Sequence, residues 1–443
     1  MTTLLKTPTA WPRPLLGRVG AGDPTDLDEA VRAGAFDGLK KAVRQLGPEG
    51  VVAEIRSAGL RGRGGAGFPT ADKWQLAAST PADRRYVVAN GYGADPATRT
   101  DAVLLEHNPY AVIEGLAIGA WAIGADSAII VVRSTETAAI KALEAALAAA
   151  EEAGFVGDEL LESGRSLSIE IRPVQGAYML GEETVLLKAL EGRRGQPEQR
   201  PPYPAEHGLF GRPTVVQNVQ TLALAAWILR EGAPAFQAIG SPDAPGTILV
   251  HVRGGEGAGV AEVPLGTPLR AILALAGTVT RSGPAPKAIL VGGPSGGILP
   301  AELLDTPYTF GDLRAAGAHV GSGSVVATGV QADVVELAEL LTRFCASEAC
   351  GKTLPCRIGT RRIEEIVTRI NAGTALPTDA GLLADVSADV VASGLCDHER
   401  LSTLPMASVV RYFQADLDTK LQPAAQQAAG PHEVAVTQGD PAQ

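Results

Sequence analysis

The chain has 443 residues, which is long enough for two or three packed units. Hydrophobic residues make up 45% of the sequence and charged residues 20%, a balance typical of a globular protein with a sizeable core. The formal net charge of −11 repels a phosphate backbone, so we expect no nucleic-acid partner. The longest apolar stretch, Gly115 to Val132, carries a charge and several glycines, so we expect a cytoplasmic chain without direct membrane insertion.

The hydrophobic pattern predicts three folded units between two unstructured ends. Residues 1–45 are polar and irregular, and we treat them as an N-terminal extension without assigned function. Over residues 46–240, apolar runs alternate with helical periodicity, which predicts an α/β domain with a largely parallel sheet. The strands are predicted at Tyr86–Ala89, Ala128–Val132 and Leu167–Arg172, and the main helices at Ala71–Ser79, Pro109–Ala122 and Thr135–Ala153.

The pattern changes near residue 240. Residues 241–330 contain short strands around Thr247–Val252 and Lys287–Val291 with a helix between them, which predicts a small β-grasp-like unit. Residues 331–421 are helical and contain all the cysteines. Residues 422–443 are rich in Ala, Gln, Pro and Gly, so we predict a disordered tail there.

A glycine-rich run lies between two predicted helices, from Arg61 to Phe68. Its glycines are Gly62, Gly64, Gly65 and Gly67. Glycine lets backbone amides approach a phosphate, and the N-terminus of the following helix adds partial positive charge. The side chains of Arg61, Arg63 and Lys73 are near enough in sequence to neutralise that phosphate. The run matches neither the Rossmann nor the Walker pattern, and a tight surface turn with solvated arginines remains an alternative.

The four cysteines lie at positions 345, 350, 356 and 396. A chain of this size does not need disulfides for stability, and the clustering of its cysteines in one region suggests metal chemistry instead.

Four more segments follow the glycine run in order, and the cysteine region comes after them. They are Gly176–Thr184, Leu190–Pro197, Pro201–Pro204 and Gly211–Thr221. This ordered series resembles the NADH-binding flavoprotein subunit of respiratory complex I, one of the NADH-quinone oxidoreductase F subunits, over roughly residues 45–400. Related subunits occur in NAD-linked formate dehydrogenases and hydrogenases. The resemblance implies a Rossmann-like domain that binds FMN and NADH, then an SLBB-like β-grasp domain and a helical iron–sulfur-type bundle.

In that family FMN accepts hydride from NADH and passes single electrons to a [4Fe–4S] cluster. The resemblance implies Glu182 and Glu183 as catalytic candidates, although two acids at the start of a helix need no such role. The implied cofactor-binding residues, these two acids included, are Gly62, Gly64, Gly65, Gly67, Phe68, Lys73, Asn90, Asp95, Tyr178, Gly181, Glu182, Glu183, Tyr203, Asn218 and Thr221. The implied metal ligands are Cys350, Cys356 and Cys396.

The sequence departs from the family pattern at both implied sites. Around the flavin, the departures are Leu76, Tyr92, Gly93, Asp95, Leu180, Gln217 and Gln220. In the cysteine motif, Thr353 occupies the middle ligand position, and its neutral hydroxyl is a poor substitute for a thiolate. Three interpretations remain: a cluster held by the three cysteines and a fourth ligand from Thr353, water or a partner; recruitment of Cys345; or a site without a cluster.

The leading hypothesis is an electron-input subunit that oxidises NADH through FMN and passes electrons to an iron–sulfur partner or a quinone-linked complex. The resemblance implies a thioredoxin-like iron–sulfur subunit as partner within a larger redox complex, and any membrane association only through such partners. The alternative is a non-catalytic paralogue that serves in assembly or regulation. The choice between NAD and NADP remains open.

Overall fold

The computed structural model describes residues 2–20, 22–255, 257–278 and 285–428. The expectation that residues 1–45 are irregular is wrong in part, because two short helices form there: α1 (Leu27–Arg32) and α2 (Asp37–Lys41). Phe36, between them, is buried and stacks on Phe155 with ring centroids 4.1 Å apart. The segment before α1 is also anchored, since Glu262 accepts hydrogen bonds from the backbone amides of Leu15 and Leu16.

A four-stranded parallel sheet forms the centre of the first unit, with strand order β3-β2-β1-β4. The strands are β1 (Tyr86–Gly91), β2 (Ser127–Arg133), β3 (Ser168–Val174) and β4 (Thr214–Asn218). The accompanying helices are α3 (Gly47–Ala58), α4 (Thr70–Ser79), α5 (Thr100–His107), α6 (Pro109–Ile123), α7 (Thr137–Glu152), α8 (Glu183–Leu190), α9 (Val219–Glu231) and α10 (Ala233–Gln237). Parallel strands require such crossover helices, so the predicted α/β architecture with a parallel sheet is confirmed.

The carboxyl ends of β1 and β4 meet at one edge of this sheet. The two strands pair in register, and Asn90 at the end of β1 lies opposite Asn218 at the end of β4. Helix α9 begins immediately after Asn218, and the loop before α4 lies beside the same residue. Ligands of open α/β sheets bind at the carboxyl ends of the strands, so this edge is the first place to look for a cofactor.

The second unit is built on a five-stranded mixed sheet with strand order β10-β9-β11-β7-β8. Its elements are β5 (Gly240–Ser241), β6 (Ala244–Pro245), β7 (Thr247–Gly254), β8 (Gly257–Pro264), α11 (Leu269–Ala274), β9 (Ala288–Val291), β10 (Gly297–Pro300), α12 (Phe310–Ala315) and β11 (Ser324–Ala327). The two-residue strands β5 and β6 pair with each other outside this sheet. Helix α11 packs on the β7 and β11 pair, as in a β-grasp arrangement.

The third unit is helical. Its helices are α13 (Val334–Glu348), α14 (Thr360–Asn371), α15 (Asp379–Ala392), α16 (Asp397–Leu401), α17 (Leu404–Tyr412) and α18 (Gln414–Ala428). Helix α14 buries Ile363, Ile366, Val367 and Ile370, which is the spacing of one helical face. Residues 422–428, which were expected to belong to a disordered tail, continue helix α18, and residues 429–443 lie outside the described residues.

Among the described residues, no helix combines the length and the apolar character that crossing a membrane requires.

Close packing of helices α6 and α9 depends on a glycine, and this dependence is testable. A Cβ atom at Gly115 would lie 1.9 Å from the carbonyl oxygen of Leu222, whereas the nearest atom to a Cβ at Gly119 is 3.4 Å away. We expect Gly115→Ala to lower the free energy of unfolding of the first unit by about 1–3 kcal/mol, because the helices must separate. Gly119→Ala on the same helix is the matched control.

Gly119→Ala should be neutral or stabilising by up to about 1 kcal/mol, because alanine favours a helix interior over glycine. Thermal and urea unfolding, followed by circular dichroism, measures both changes. Equal unfolding midpoints for the two variants would contradict the packing argument.

Candidate functional site

The glycine loop before α4 presents free backbone amides. The amide of Gly62 donates to the carbonyl of Phe68 at 2.9 Å and closes the loop, and Arg61 bridges to Pro69. Between these contacts, the amides of residues 64–67 donate to no other group in the described part of the chain. Gly65 and Gly67 have φ values of +123° and +68°, which other residues rarely adopt. Four consecutive free amides ahead of a helix form a cradle for an anion such as a phosphate.

The loop is held in place by Arg63, and this corrects the expectation that Arg63 neutralises a phosphate. Its guanidinium is buried and donates hydrogen bonds to the carbonyl oxygens of Thr247 at 2.9 Å, Pro245 at 2.7 Å and Arg61 at 2.8 Å. Its backbone amide donates to the hydroxyl of Thr221 at 2.8 Å. Arg63 is therefore a structural residue, and Thr221 supports the loop from α9.

Lys73, one turn into α4, forms a charged cluster with Glu183 and Arg200. The ammonium of Lys73 lies 2.8 Å from one oxygen of Glu183, and the guanidinium of Arg200 lies 2.9 Å from the other. Burial works to raise the pKa of Glu183, but the charges of Lys73 and Arg200 outweigh it and hold that pKa below its ordinary value. Sequence reasoning missed Arg200, although it directly precedes the quoted Pro201–Pro204 segment. Glu183 is consequently ionised at neutral pH.

Glu182 caps the N-terminus of α8. Its carboxylate accepts hydrogen bonds from the backbone amides of Thr184 at 2.8 Å and Val185 at 2.9 Å. This contact stabilises the helix, and burial raises the pKa of Glu182 despite it. The side chain is mostly buried, so the alternative of an exposed acidic helix start does not describe it.

The two asparagines at the sheet edge are fixed in orientation. Asn90 donates to the carbonyl of Gly181 at 3.1 Å, which ties β1 to the segment before α8. Asn218 and Gln220 each donate to one oxygen of Asp101 at 2.8 Å. Burial raises the pKa of Asp101 to about 6, against the effect of these two hydrogen bonds. Asp101 was missed from the sequence because a lone Asp in a helical stretch carries no motif.

Two of the residues that depart from the family pattern occupy defined positions. Tyr92 is buried, donates its hydroxyl to the carbonyl of Gly176 and lies under the guanidinium of Arg133 at 4.8 Å. Asp95 accepts hydrogen bonds from Ser322 of the second unit and from the amide of Ala97, and burial raises its pKa. Both side chains therefore have protein partners within the described residues.

The aromatic candidates differ in exposure. The Phe68 ring is 54% exposed and the Tyr203 ring 48%, so both offer a free face. Tyr178 is largely enclosed, and its ring meets Phe344 and His398 edge-on with centroids 5.3 and 5.6 Å apart. Tyr178 therefore belongs to the contact between the first and third units.

A cavity lies between the third unit and the first, and the three expected metal ligands line it together. Cys350, Cys356 and Cys396 face it with Thr353 and Glu399. The remaining lining residues are Met179, Pro197, Lys352, Leu395 and His398. Met179 precedes the Gly181 carbonyl that Asn90 holds, so a single short segment connects this cavity to the sheet edge.

Thr353 does not point a free hydroxyl at the cavity. It donates a hydrogen bond of 2.6 Å to Oε1 of Glu399, while Oε2 accepts from the amide of Leu395 at 2.8 Å. Cys345 is buried, its thiol contacts the carbonyl of Pro294 at 3.6 Å, and it is not among the residues that line the cavity. The structure thus brings together three of the four cysteines and a carboxylate that sequence reasoning missed.

The thiols of this cavity are desolvated. Burial raises the pKa of Cys356 to about 12, with smaller contributions from the Glu399 carboxylate and the neighbouring thiols. Burial likewise raises the pKa of Cys396 to about 11. Among the described residues, no three His, Cys, Asp or Glu side chains converge on one metal ion.

A free-amide cradle at a parallel sheet edge, connected to a cavity with three cysteines, suits a protein of the redox class with a phosphate-bearing cofactor. Comparison with family models agrees. Residues 55–226 match the Nuo51 FMN-binding domain, and residues 336–420 match the NADH-ubiquinone oxidoreductase-F iron-sulfur binding region.

Individual relatives cover most of the chain. The HndC subunit of the NADP-reducing hydrogenase of Solidesulfovibrio fructosivorans is 37% identical over 91% of this chain and 83% of its own length. The NADH-quinone oxidoreductase F subunit of Streptomyces coelicolor is 37% identical over 88% of this chain and 87% of its own. The crystal structure of NAD+-reducing [NiFe]-hydrogenase in the H2-reduced state superimposes with a TM-score of 0.81 and 32% identity, covering 96% of this chain and 68% of that one.

The chain belongs to the family of NADH-quinone oxidoreductase F subunits. It is an electron-input flavoprotein subunit, and the cofactors of the family regions that it matches are FMN, NADH and an iron–sulfur cluster. The suspected resemblance and the expected Rossmann-like α/β fold are therefore confirmed. Its relatives are subunits of NADH-quinone oxidoreductase or hydrogenase complexes, so membership of a larger redox complex is confirmed as well.

The glycine loop and the cysteine cavity fit their family cofactors to different degrees. The free amides of residues 64–67 and the exposed Phe68 ring suit a phosphate-bearing cofactor. The cysteine cavity supplies three thiols where four thiolates are usual for a cubane cluster, and the fourth position holds the Thr353–Glu399 pair. The cysteine cavity therefore differs from a four-thiolate site at one corner.

The thiol environments predict an order of chemical reactivity in iron-free protein. The thiolate is the reactive form, so the raised pKa values of Cys356 and Cys396 suppress their alkylation at pH 8. Cys350 is only partly buried. We expect iodoacetamide to label Cys350 about tenfold faster or more than the other cysteines.

Peptide mass spectrometry of a labelling time course measures these rates. Labelling of Cys356 and Cys396 should accelerate as pH rises toward their pKa values. Equal rates for all four cysteines in folded protein would contradict the burial described.

Proposed function

We propose that FMN binds with its phosphate at the amides of residues 64–67 and with its ring system along the sheet edge between Asn90 and Asn218. The observation that carries this proposal is the set of free amides beside the half-buried Lys73–Glu183 pair. FMN supplies hydride acceptance from NADH and release of single electrons when it is bound. Residues of this chain orient the nucleotide and connect the two sites.

The charged cluster orients the nicotinamide nucleotide. Because Lys73 and Arg200 keep Glu183 ionised, its carboxylate can accept hydrogen bonds from ribose hydroxyls or from an amide. Glu182 fixes the start of α8 and thereby the position of Glu183. The exposed rings of Phe68 and Tyr203 are available to stack on planar groups of the nucleotide. NADH is the proposed electron donor.

Asn90 and its partners connect the two sites. The Asn90 side chain positions Gly181, and the 3-10 turn Tyr178–Gly181 contains Met179, which lines the cysteine cavity. We propose this turn as the connection for electron transfer between the sheet edge and the cysteine cavity. We assign the nucleotide and flavin site to residues 46–240, an SLBB-like domain to 241–330 and the iron–sulfur-type domain to 331–421.

The partner that receives the electrons is proposed to be a thioredoxin-like iron–sulfur subunit of the same complex. The apolar side chains of Leu354 and Ile358 flank Cys356 in sequence and are exposed by 59% and 56%. Exposed apolar residues beside a redox centre suit a docking partner. Any association with a membrane would then run through such partners.

Flavin reduction tests this function directly. We expect the purified chain to quench the fluorescence of added FMN and to bleach its visible absorbance when NADH is added anaerobically. FMN that stays fluorescent and oxidised would favour the non-catalytic paralogue.

Gly67→Ala should weaken FMN binding about tenfold or more, because its φ of +68° and a Cβ 2.7 Å from the Phe310 ring would distort the loop.

The matched control for Gly67→Ala is Gly311→Ala, beside Phe310. A Cβ atom at Gly311 meets nothing within 4 Å, so we expect wild-type FMN affinity. Equal loss of affinity in both variants would point to general destabilisation rather than to the loop.

Replacing the exposed apolar residues Leu354 and Ile358 with charged residues tests partner docking. When the complex is purified through a tag on this chain, the double variant Leu354→Asp and Ile358→Asp should lose the iron–sulfur subunit, because burying a carboxylate at an interface is costly. Mass spectrometry identifies which component is lost. Val330→Asp, at another exposed apolar residue, is the control and should retain it. Retention of the partner by the double variant would place the interface elsewhere.

A further inference from the structure

The Thr353–Glu399 contact is a built feature of the cysteine cavity. Glu399 is only 1% exposed, and both of its oxygens are hydrogen-bonded, one to Thr353 and one to the Leu395 amide. A buried carboxylate is costly unless its oxygens are satisfied. The chain holds this carboxylate in the cavity lined by Cys350, Cys356 and Cys396, in contact with Thr353, which stands at the middle ligand position of the motif.

We propose that Glu399 is the fourth ligand of the iron–sulfur cluster, so that three thiolates and one carboxylate hold it. The inference deepens the proposed function, because it concerns the cluster that would receive electrons from the flavin.

The hydrogen-bond pattern leaves room for the metal. Each carboxylate oxygen has two acceptor positions, and the observed bonds use one position on each. Iron can therefore bind a Glu399 oxygen while Thr353 and Leu395 continue to hold the group. Thr353 then acts as a positioning residue that orients the carboxylate by donating its proton.

Charge also favours the carboxylate over the hydroxyl. A ligand set of three thiolates and one carboxylate carries the same total charge as four thiolates. Neutral Thr353 would leave the cluster one negative charge short, and a hydroxyl is a weak ligand for iron.

His398 is the competing ligand and lies in the same cavity. Its Nε2 is 3.0 Å from the Cys345 carbonyl, so the proton belongs on Nε2 and the Nδ1 lone pair is free. Among the described residues, Nδ1 has no hydrogen-bond partner. Imidazole can replace a thiolate on iron, but His398 makes no contact with Thr353 that parallels the Glu399 bond. Separate variants of Glu399 and His398 distinguish the two ligands.

The experiment uses the full chain purified anaerobically, with iron and sulfide analysis, Mössbauer spectra and EPR. We expect a four-iron cluster in the wild type, in which one iron has the spectrum of an oxygen-ligated site. Glu399→Gln preserves size but binds iron poorly, so it should lose about one iron per chain and show the EPR signal of an oxidised three-iron cluster. Glu364→Gln, an acid on α14 paired with Arg361, is the control and should match the wild type.

A rescue variant distinguishes loss of a ligand from misfolding of the chain. Adding Thr353→Cys to Glu399→Gln supplies a fourth thiolate, and we expect it to restore the four-iron cluster. The proposal is overturned if the wild type holds three irons or no cluster, if Glu399→Gln leaves the spectra unchanged, or if His398→Gln alone removes the fourth iron. Flavin bleaching by NADH, measured on the same samples, reports the proposed function separately, because it does not require the cluster ligands.

Discussion

The buried guanidinium of Arg63 is the interaction on which the shape of the glycine loop depends. A buried charge without a carboxylate partner is unfavourable, and here three backbone carbonyl oxygens satisfy it. Two of those carbonyls belong to Pro245 and Thr247, at the start of the second unit. The glycine loop is therefore shaped by a neighbouring unit as well as by its own sequence, and its free amides are preorganised before any ligand arrives.

Charged side chains with more than one protein partner recur across the site. Asp101 accepts hydrogen bonds from two side-chain amides at the sheet edge, and Glu183 forms ion pairs with two cations. Glu399 accepts hydrogen bonds from a hydroxyl and a backbone amide. Each carboxylate has at least one partner from a distant part of the chain, 117 positions away for Asp101, 110 for Glu183 and 46 for Glu399. Such networks fix orientation because a lost partner leaves a buried polar group unpaired. The sheet edge and the cysteine cavity are connected by the turn that Asn90 holds.

The sequence was sufficient for the α/β architecture and for the motif series, because buried parallel strands are continuous apolar runs and the glycine loop is local. It failed for α1 and α2, since helices of 6 and 5 residues contribute too few turns to show periodicity. It also assigned Arg63 to a ligand, because only the fold reveals that its partners lie 182 and 184 positions away. The contact between Glu399 and Thr353 could not be predicted for the same reason, because the two residues are 46 positions apart.

The long separation of the Arg63 contacts has a consequence for biosynthesis. The ribosome releases the glycine loop well before Pro245 and Thr247, so the carbonyl oxygens that fix the loop do not yet exist when the loop emerges. A nascent chain truncated before these residues carries the loop sequence without its final conformation. The final conformation of the glycine loop therefore forms only after the start of the second unit has been translated and has folded against the first.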